Sequence, residues 1–201
     1  MVNFTKILRR IKINIFYLHQ DPVICAEFHN DRHLVKMILE TCQLLSTAHR
    51  ILDGTEVMGK SKTGRNVKRW TLDDPILDNM YYSATHINHP SAIWCRQSKA
   101  NYVWLARLLY ALCKEYTYRY GKVHKCEETG LVLNLQRLPR ALGLCVKPFT
   151  EPTPAMPDDV KVKGDSVASY RKYYNNNKQH LATWSGKVNS RPVPQWFTYQ
   201  Q

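Results

Sequence analysis

The sequence predicts a mainly α, single-domain helical bundle with a possible short N-terminal strand and long irregular loops. Two segments, near residues 22–52 and 91–120, repeat their apolar residues with the period of a helix. A further helical segment is indicated near residues 165–184, and the stretches between these segments are rich in Gly, Pro and Lys. The 201 residues, 44% of them hydrophobic, suffice for one domain with a substantial core.

The N-terminal part contains a basic extension followed by a candidate strand. We interpret Met1 to Lys12 as an extension of the domain. The next stretch, "KINIFYL" at residues 12–18, alternates and is rich in Ile, Phe and Tyr, which favours a short strand. In the whole N-terminal stretch, "MVNFTKILRRIKINIFYL", the apolar runs are too short and too interrupted for a spanning helix, and a small-residue cleavage site is lacking. We therefore expect no membrane association and a cytoplasmic location.

The first long helix is expected from about Pro22 to Leu52, with Asp53-Gly54 ending it. Its apolar stripe includes Leu34, Ile38 and Leu45. The opposite side carries polar residues in steps of four and three, within about a third of a turn: His29, His33, Lys36, Glu40, Gln43, Thr47 and Arg50. Potential proton donors, acceptors and a fixed cation thus lie in one line.

Several interpretations of this polar stripe remain open. One interpretation is an ordinary solvated face with one weak Lys36–Glu40 ion pair. Another is a set of structural histidines that are hydrogen-bonded within the fold. Metal binding by His29 and His33 with Glu40 or Asp31 lacks a signature of the H-E-x-x-H type, so no metal is expected. The functional interpretation is acid–base or amine chemistry. A screened Glu beside a Lys can direct a water, and a Lys near other cations can act as a nucleophile.

The composition of residues 54–75 predicts a mobile basic loop, because Gly, Ser and basic residues are combined there with little apolar content. This loop supplies candidate phosphate contacts at Lys60, Lys62, Arg65, Lys68 and Arg69.

The second long helix is expected from Ser91, as its N-cap, to about Tyr120, with Gly121 ending it. Basic residues interleaved with Tyr and Trp favour a nucleic-acid surface, although a solvated basic face explains the helix equally well. His89 and Asn101 lie near the start of this helix, where free backbone N–H groups favour anions, so a phosphate pocket is one interpretation. The alternative is that His89 caps the helix. The candidate nucleic-acid contacts are His89, Arg96, Lys99, Asn101, Arg107, Lys114, Arg119 and Lys122, together with Arg50.

The C-terminal part begins with a Pro-rich crossing segment at residues 147–160, which cannot be regular structure. A helix is expected from Asp165 to Trp184, and the tail "RPVPQWFTYQQ" is expected to pack back on the domain.

The charge balance favours a polyanionic partner. Lys and Arg number 29 against 16 acids, a net charge of +13, which attracts nucleic acid first and anionic membrane second. The six cysteines form no C-x-x-C pair, and we expect a reducing compartment. No cofactor is expected.

Two stretches carry a family resemblance. "DRHLVKMILETCQLL" and "NHPSAIWCRQSKANYVWLARLLYALCKEYTYRYG" resemble the pyrimidine-dimer DNA glycosylase family, the endonuclease V-like group of phages and bacteria. The resemblance covers about residues 13–125. The matching positions are His33, Lys36, Glu40, Gln43, His89, Pro90, Trp94, Cys113, Glu115, Arg119 and Gly121.

The resemblance implies an all-α fold and excision of a damaged or modified pyrimidine by attack at the sugar C1′. In the best-known phage member the attacking amine is the chain's own N-terminus, assisted by a Glu. Here "NIFYLHQDP", which looks like the family's usual start, follows the extension Met1 to Lys12. Two mechanisms remain: Lys36 as the amine, which adds lyase activity, or Glu40 acting with water. We expect Glu40 to be the essential carboxylate, Lys36 second, and His33 and Gln43 to be further catalytic candidates.

Two other functions stay open. One is a non-catalytic DNA-binding viral protein that does not depend on Glu40. The other is an enzyme that modifies DNA bases in a similar pocket, although no Gly-rich phosphate loop for a nucleotide co-substrate is present. In each case the expected partner is DNA, double-stranded and with an extruded base for the enzymes.

Overall fold

The computed structural model describes residues 13–61 and 63–200, and in this part of the chain helices predominate. The helices are α1 (Pro22–Phe28), α2 (Asp31–Asp53), α3 (Pro75–Met80), α4 (Pro90–Cys95), α5 (Lys99–Tyr120), α6 (Lys125–Glu128), α7 (Leu131–Asn134) and α8 (Ser166–Asn177). Two strands, β1 (Thr55–Lys60) and β2 (Asn66–Thr71), form a single antiparallel ribbon. The mainly α single-domain prediction is confirmed.

The helix predicted from Pro22 to Leu52 is two helices. The Asp21 side chain caps α1, and Pro22 occupies its first turn. The chain then leaves the helical conformation at His29 and Asn30, where the Asn30 side chain accepts a hydrogen bond from the His33 N–H at 2.8 Å. Because an Asn at this position caps a new helix, α2 begins at Asp31 and runs to Asp53.

The second predicted helix is also divided. His89, and not Ser91, is the N-cap of α4, since its Nδ1 accepts the Ser91 N–H at 3.2 Å. A break follows, and the Ser98 hydroxyl accepts the Asn101 N–H to start α5. Gly121, at φ +66°, ends α5 as predicted.

The segment predicted as a mobile basic loop, residues 54–75, is mostly a β-hairpin. Thr55 pairs with Thr71 at its base and Lys60 with Asn66 near its turn. Its β-branched residues and Trp70 flank a Gly-containing turn, a hairpin signal that the basic composition masked.

The predicted N-terminal strand is wrong. Residues 13–18 have no regular secondary structure, yet all six are buried. Phe16 lies at φ +53°, so the backbone turns within the core and does not run straight. The polar groups of Asn14 bond to side chains and loops rather than to a neighbouring strand. The extension at residues 1–12 lies outside the described residues.

Helices α2 and α5 form the centre of the core and run antiparallel. The start of α2 meets the end of α5, where Tyr120 donates to the Asp31 carbonyl, and His49 meets Tyr102 at the other ends. Fully buried apolar residues of both helices lie between, among them Leu34, Ile38, Leu45, Leu105, Leu109 and Leu112.

The C-terminal part crosses the domain as predicted. Residues 147–160 are irregular apart from a 3₁₀ turn at Asp158–Val160. Helix α8 ends at Asn177, earlier than predicted, because three consecutive Asn residues end it. The tail packs back, with Trp184 and Phe197 buried. No helix of the described residues is both long and apolar enough to cross a membrane.

Candidate active site

The Glu40 carboxylate is the best-defined polar group on α2. Glu40 is only 2% exposed. Its Oε1 lies 2.8 Å from Lys36 Nζ, one turn earlier, and its Oε2 accepts the backbone N–H of Asn14 at 3.1 Å. The Lys36 side chain is 45% exposed. A buried carboxylate is thus joined to solvent by a single ammonium group.

Burial is the largest influence on the Glu40 carboxyl. It raises the pKa above the ordinary value, while the hydrogen bond and charge of Lys36 and the Asn14 N–H oppose the shift only in part. A carboxyl whose pKa is raised in this way holds its proton more tightly than an exposed carboxyl does, and general acid–base chemistry uses such shifted groups.

Asn14 is held so that its N–H faces Glu40. Its Oδ1 accepts hydrogen bonds from Tyr170 Oη at 2.7 Å and from the Ile15 N–H at 2.8 Å. Its Nδ2 donates to the Ala155 carbonyl at 3.0 Å. The wall behind Glu40 is therefore built from the N-terminal segment, the Pro-rich crossing and α8.

His33 lies one turn before Lys36 but turns into the core. Its ring stacks on Phe16 with centroids 4.2 Å apart, and its Nδ1 is 2.6 Å from Tyr174 Oη. Burial, followed by the charges of His29 and Lys178, lowers the pKa of His33 well below its ordinary value. A neutral imidazole in this environment positions Phe16 and Tyr174, and it is not a ready proton donor.

The remaining predicted positions of the stripe differ in burial. Gln43 is half-buried on the turn after Glu40. Thr47 is buried and exchanges hydrogen bonds with the backbone of Thr85. Within residues 13–61 and 63–200, no three His, Cys, Asp or Glu side chains lie together as a group that could hold a metal ion.

A surface depression of about 830 Å³ opens beside Lys36. Its lining is mostly cationic and polar: Asp31, Arg32, His33, Val35, Lys36, Tyr120, Lys178, His180 and Leu181. The single acid, Asp31, is already bonded to Arg119 and to Ser185. The depression therefore presents net positive charge next to the Lys36–Glu40 pair.

Sequence reasoning missed two cations and a histidine of this depression, Arg32, Lys178 and His180. Arg32 directly precedes His33 and could have been found as an exposed position of α2. Lys178 and His180 belong to the C-terminal part of the sequence, and no local sequence pattern links them to Lys36.

Three predicted nucleic-acid contacts are structural instead. Arg50 is buried and donates to the carbonyls of Tyr82, Trp70, Asp78 and Tyr81 and to the Asp78 carboxylate. Arg119 is fully buried among Glu115, Asp31 and two carbonyls of the α1 region. The Asn101 amide bonds to Trp94 and Thr150. Since their donors are used inside the fold, the prediction that they bind phosphates is wrong.

The predicted pocket at His89 is likewise corrected, because the His89 ring itself caps the helix start. Arg96 is half-buried at the end of α4. The exposed predicted contacts are Lys60, Arg65, Lys68, Lys99, Arg107, Lys114 and Lys122, and Arg69 is half-buried. Lys62 lies outside the described residues.

These exposed cations do not converge on one site. Arg107 and Lys114 line a groove of about 620 Å³ between α1 and α5, which also contains Glu27 and Glu115. Among the described residues none lines both this groove and the depression beside Lys36. Of the predicted contacts at residues 60–69, Lys60, Arg65, Lys68 and Arg69 lie on the hairpin.

Comparison of the chain with protein-family models, with curated proteins and with solved structures finds no match.

Proposed function

We propose that this protein is a DNA glycosylase that removes a damaged or modified pyrimidine by extruding the nucleotide and attacking the sugar C1′. One observation carries the proposal: the buried Glu40 carboxylate, with its raised pKa, contacts the half-exposed Lys36 ammonium at the edge of a cationic depression. The resemblance of the residues around Lys36 and Glu40 to the pyrimidine-dimer glycosylase family supports the same chemistry.

In the amine mechanism, Glu40 accepts a proton from the Lys36 ammonium. The neutral amine then forms a bond to C1′, while the glycosidic bond breaks and its electron pair leaves with the base, which takes up a proton. The bound amine then loses a proton, the C1′–O4′ bond breaks and O4′ takes up a proton, which opens the sugar ring and leaves an imine between Lys36 and C1′. Loss of a proton from C2′, with departure of the 3′ phosphate and its bonding pair, would be the lyase step.

In the water mechanism, Glu40 takes a proton from a water molecule as that water bonds to C1′. The base again leaves with the bonding pair, but the protein forms no covalent bond and the backbone stays intact. Lys36 then serves to stabilise the charge near the sugar and phosphate.

The two mechanisms and their rivals are separated by borohydride trapping on duplexes that carry pyrimidine dimers, oxidised pyrimidines or hypermodified pyrimidines. Lys36 attack gives a covalent protein–DNA product that Lys36→Met abolishes. Water attack gives free base and no adduct. We expect Glu40→Gln to lower the rate by about 10²–10⁴-fold in either case.

Matched controls are available on the exposed surface. Glu128→Gln and Lys163→Met change the same residue types at exposed positions and should retain wild-type rates. If no substrate loses a base, or if Glu40→Gln is as active as wild type, the glycosylase proposal is refuted. DNA binding without chemistry would leave the non-catalytic DNA-binding function, whereas an altered base on an intact backbone would indicate base modification.

We place this reaction in the cytoplasm. All six cysteines are free thiols, five of them buried, as suits a reducing compartment.

A further inference from the structure

The hairpin of β1 and β2 stands away from the core. None of its strand residues is buried, and both of its faces are wholly or partly exposed. An isolated two-stranded hairpin is marginally stable in water, so its persistence here needs an anchor. Both faces of the ribbon are therefore accessible to a partner.

The anchor lies at the base of the hairpin. Buried Arg50 donates to the Trp70 carbonyl at 2.6 Å and to Asp78 Oδ1 at 2.6 Å. The same Asp78 oxygen accepts the Leu72 N–H at 2.9 Å. One buried guanidinium thus joins α2, β2 and α3, and it fixes the direction in which the ribbon leaves the domain.

The ribbon is strongly basic. Residues 55–71 contain five Lys or Arg and one acid, Glu56. Glu56 is paired with Lys68 at 2.8 Å. The remaining positive charge lies toward the turn, where Lys60 and Arg65 are exposed. This distribution suits a polyanion that meets the ribbon tip first.

The two faces of the ribbon differ. On one face the Arg69 side chain lies over Gly59, where an added Cβ would come within 2.9 Å of Arg69 Cγ. The other face carries Met58, which is 66% exposed, opposite Lys68 and next to Lys60 in the register. Met58 therefore lies between Lys60 and the Lys68–Glu56 ion pair. Its apolar side chain suits contact with a thymine methyl, and Lys60 suits contact with a flanking phosphate.

The dimensions select one groove. Two paired strands lie about 4.8 Å apart, and with side chains they fill a groove about 12 Å wide. The major groove of B-form DNA has this width, whereas the minor groove is about 6 Å wide. The major groove of A-form RNA is too narrow to admit a ribbon.

We propose that the β1–β2 hairpin inserts into the major groove of duplex DNA, with the face of Met58, Lys60 and Lys68 toward the bases and flanking phosphates. This inference takes its partner from the proposed action on DNA, but it needs no chemistry at Glu40. It assigns the hairpin a rigid contact in the groove rather than the loose phosphate contacts expected of a loop.

The test is dimethyl sulfate footprinting on an undamaged duplex, with binding measured over a range of salt concentrations. Wild-type protein should protect guanine N7 in the major groove and leave adenine N3 in the minor groove reactive. The variant Met58→Ser/Lys60→Gln/Lys68→Gln should lose this protection. It should also lower the slope of log affinity against log salt by about 1, because Glu56 already compensates the charge of Lys68. Glu40→Gln should keep the protection.

A matched control removes the same charge elsewhere. Lys163→Gln/Lys187→Gln also neutralises two exposed lysines and should keep N7 protection. Double-stranded RNA of the same sequence should bind with an affinity that the hairpin variant changes less than it changes DNA affinity. Thermal melting of each variant checks folding, which we expect to be intact because the altered side chains are exposed.

The inference is overturned if wild-type protein binds no DNA, if N7 stays reactive in the complex, or if the hairpin variant protects N7 like wild type. Protection of N7 without any base excision would refute the glycosylase proposal alone. Base excision with unprotected N7 would refute the hairpin inference alone.

Discussion

Two carboxylate–cation pairs with the same spacing occupy the two central helices and behave differently. On α2, Lys36 and Glu40 are four residues apart with charged atoms 2.8 Å apart. On α5, Glu115 and Arg119 are four residues apart with charged atoms 2.6 Å apart. Both carboxylates are buried. The local pattern is nearly the same, so the difference must come from what the rest of the fold adds.

Glu115 is surrounded by cations. Arg119 Nε donates to its Oε1, and Arg191 donates to both oxygens, with Nη2 at 2.9 Å from Oε2. Burial alone raises the pKa of Glu115, but the hydrogen bonds from Arg191 and Arg119 and their charges outweigh it, and the pKa is lowered. The carboxylate stays charged and fixed.

Glu40 receives one ammonium and one peptide N–H, and burial prevails, so its pKa is raised. The number of donors around each carboxylate, and not the sequence spacing, therefore decides the direction in which its pKa shifts. A fully compensated carboxylate holds helices together, whereas a partly compensated one can exchange protons.

The largest effect is expected from breaking the α5 pair. Arg119→Met should lower the free energy of unfolding by about 3–5 kcal/mol, because it leaves Glu115 and Asp31 without their buried partner. Denaturant unfolding measures the loss. Arg107→Met, at an exposed position of the same helix, should stay within about 0.5 kcal/mol of wild type. Similar losses for both variants would contradict a structural role for Arg119.

An intermediate effect is expected from acid, through His29 beside the Arg119 cluster. Burial, and then the Arg119 charge, lowers the pKa of His29 from 6.5 to about 4. The unfolded chain therefore binds a proton that the folded chain does not, and stability is lost as pH falls from 6.5 toward 4. This loss is on the order of 3 kcal/mol.

His29→Gln should flatten the pH dependence of the unfolding free energy in this window, measured by denaturant titration at several pH values. His180→Gln, at an exposed histidine outside the core, is the control. An unchanged slope in His29→Gln would show that the acid sensitivity arises elsewhere.

The smallest effect is expected on α2, from removal of the Glu40 charge, which Lys36 and the Asn14 N–H compensate only in part. Glu40→Gln should raise the free energy of unfolding at neutral pH slightly, because the amide does not carry the charge that burial disfavours. The sign follows from the raised pKa. The folded protein holds a proton above pH 4.5 that the unfolded chain releases, so wild-type stability falls as pH rises through this window.

The gain in Glu40→Gln should therefore disappear below pH 4.5, which denaturant unfolding at acid and neutral pH can check. A variant less stable than wild type at neutral pH would mean that Lys36 and Asn14 compensate the charge fully. Glu40 would then resemble Glu115, and the contrast between the helices would be lost.

The sequence was sufficient to predict the helical class and the polar stripe of α2, since periodicity reports which residues share a face. It could not predict burial along that stripe. Arg50 and Lys36 occupy equivalent positions on the stripe, yet Arg50 is enclosed by the carbonyls of a distant turn and Lys36 is half-exposed. These carbonyls come from residues 70–82, whose hairpin and helix the basic composition concealed.

The surroundings of Glu40 were also beyond local patterns. Lys178 and His180 reach the depression only because α8 packs against the N-terminal segment. The division of α5 from α4 was missed for a simpler reason: Ser98 is a good cap, but the apolar spacing continues across it.

The bonds of Asn14 have a consequence for how the protein is made. Its amide oxygen accepts a hydrogen bond from Tyr170, 156 residues further along the chain. Translation at roughly 5–20 residues per second leaves the first segment waiting on the order of 10 s for this partner to be synthesised. Until then the Asn14 peptide cannot be fixed against Glu40. The nascent chain is therefore expected to carry a hydrated, ordinary carboxylate at Glu40, and the buried carboxyl with a raised pKa arises only when the last third of the polypeptide has left the ribosome.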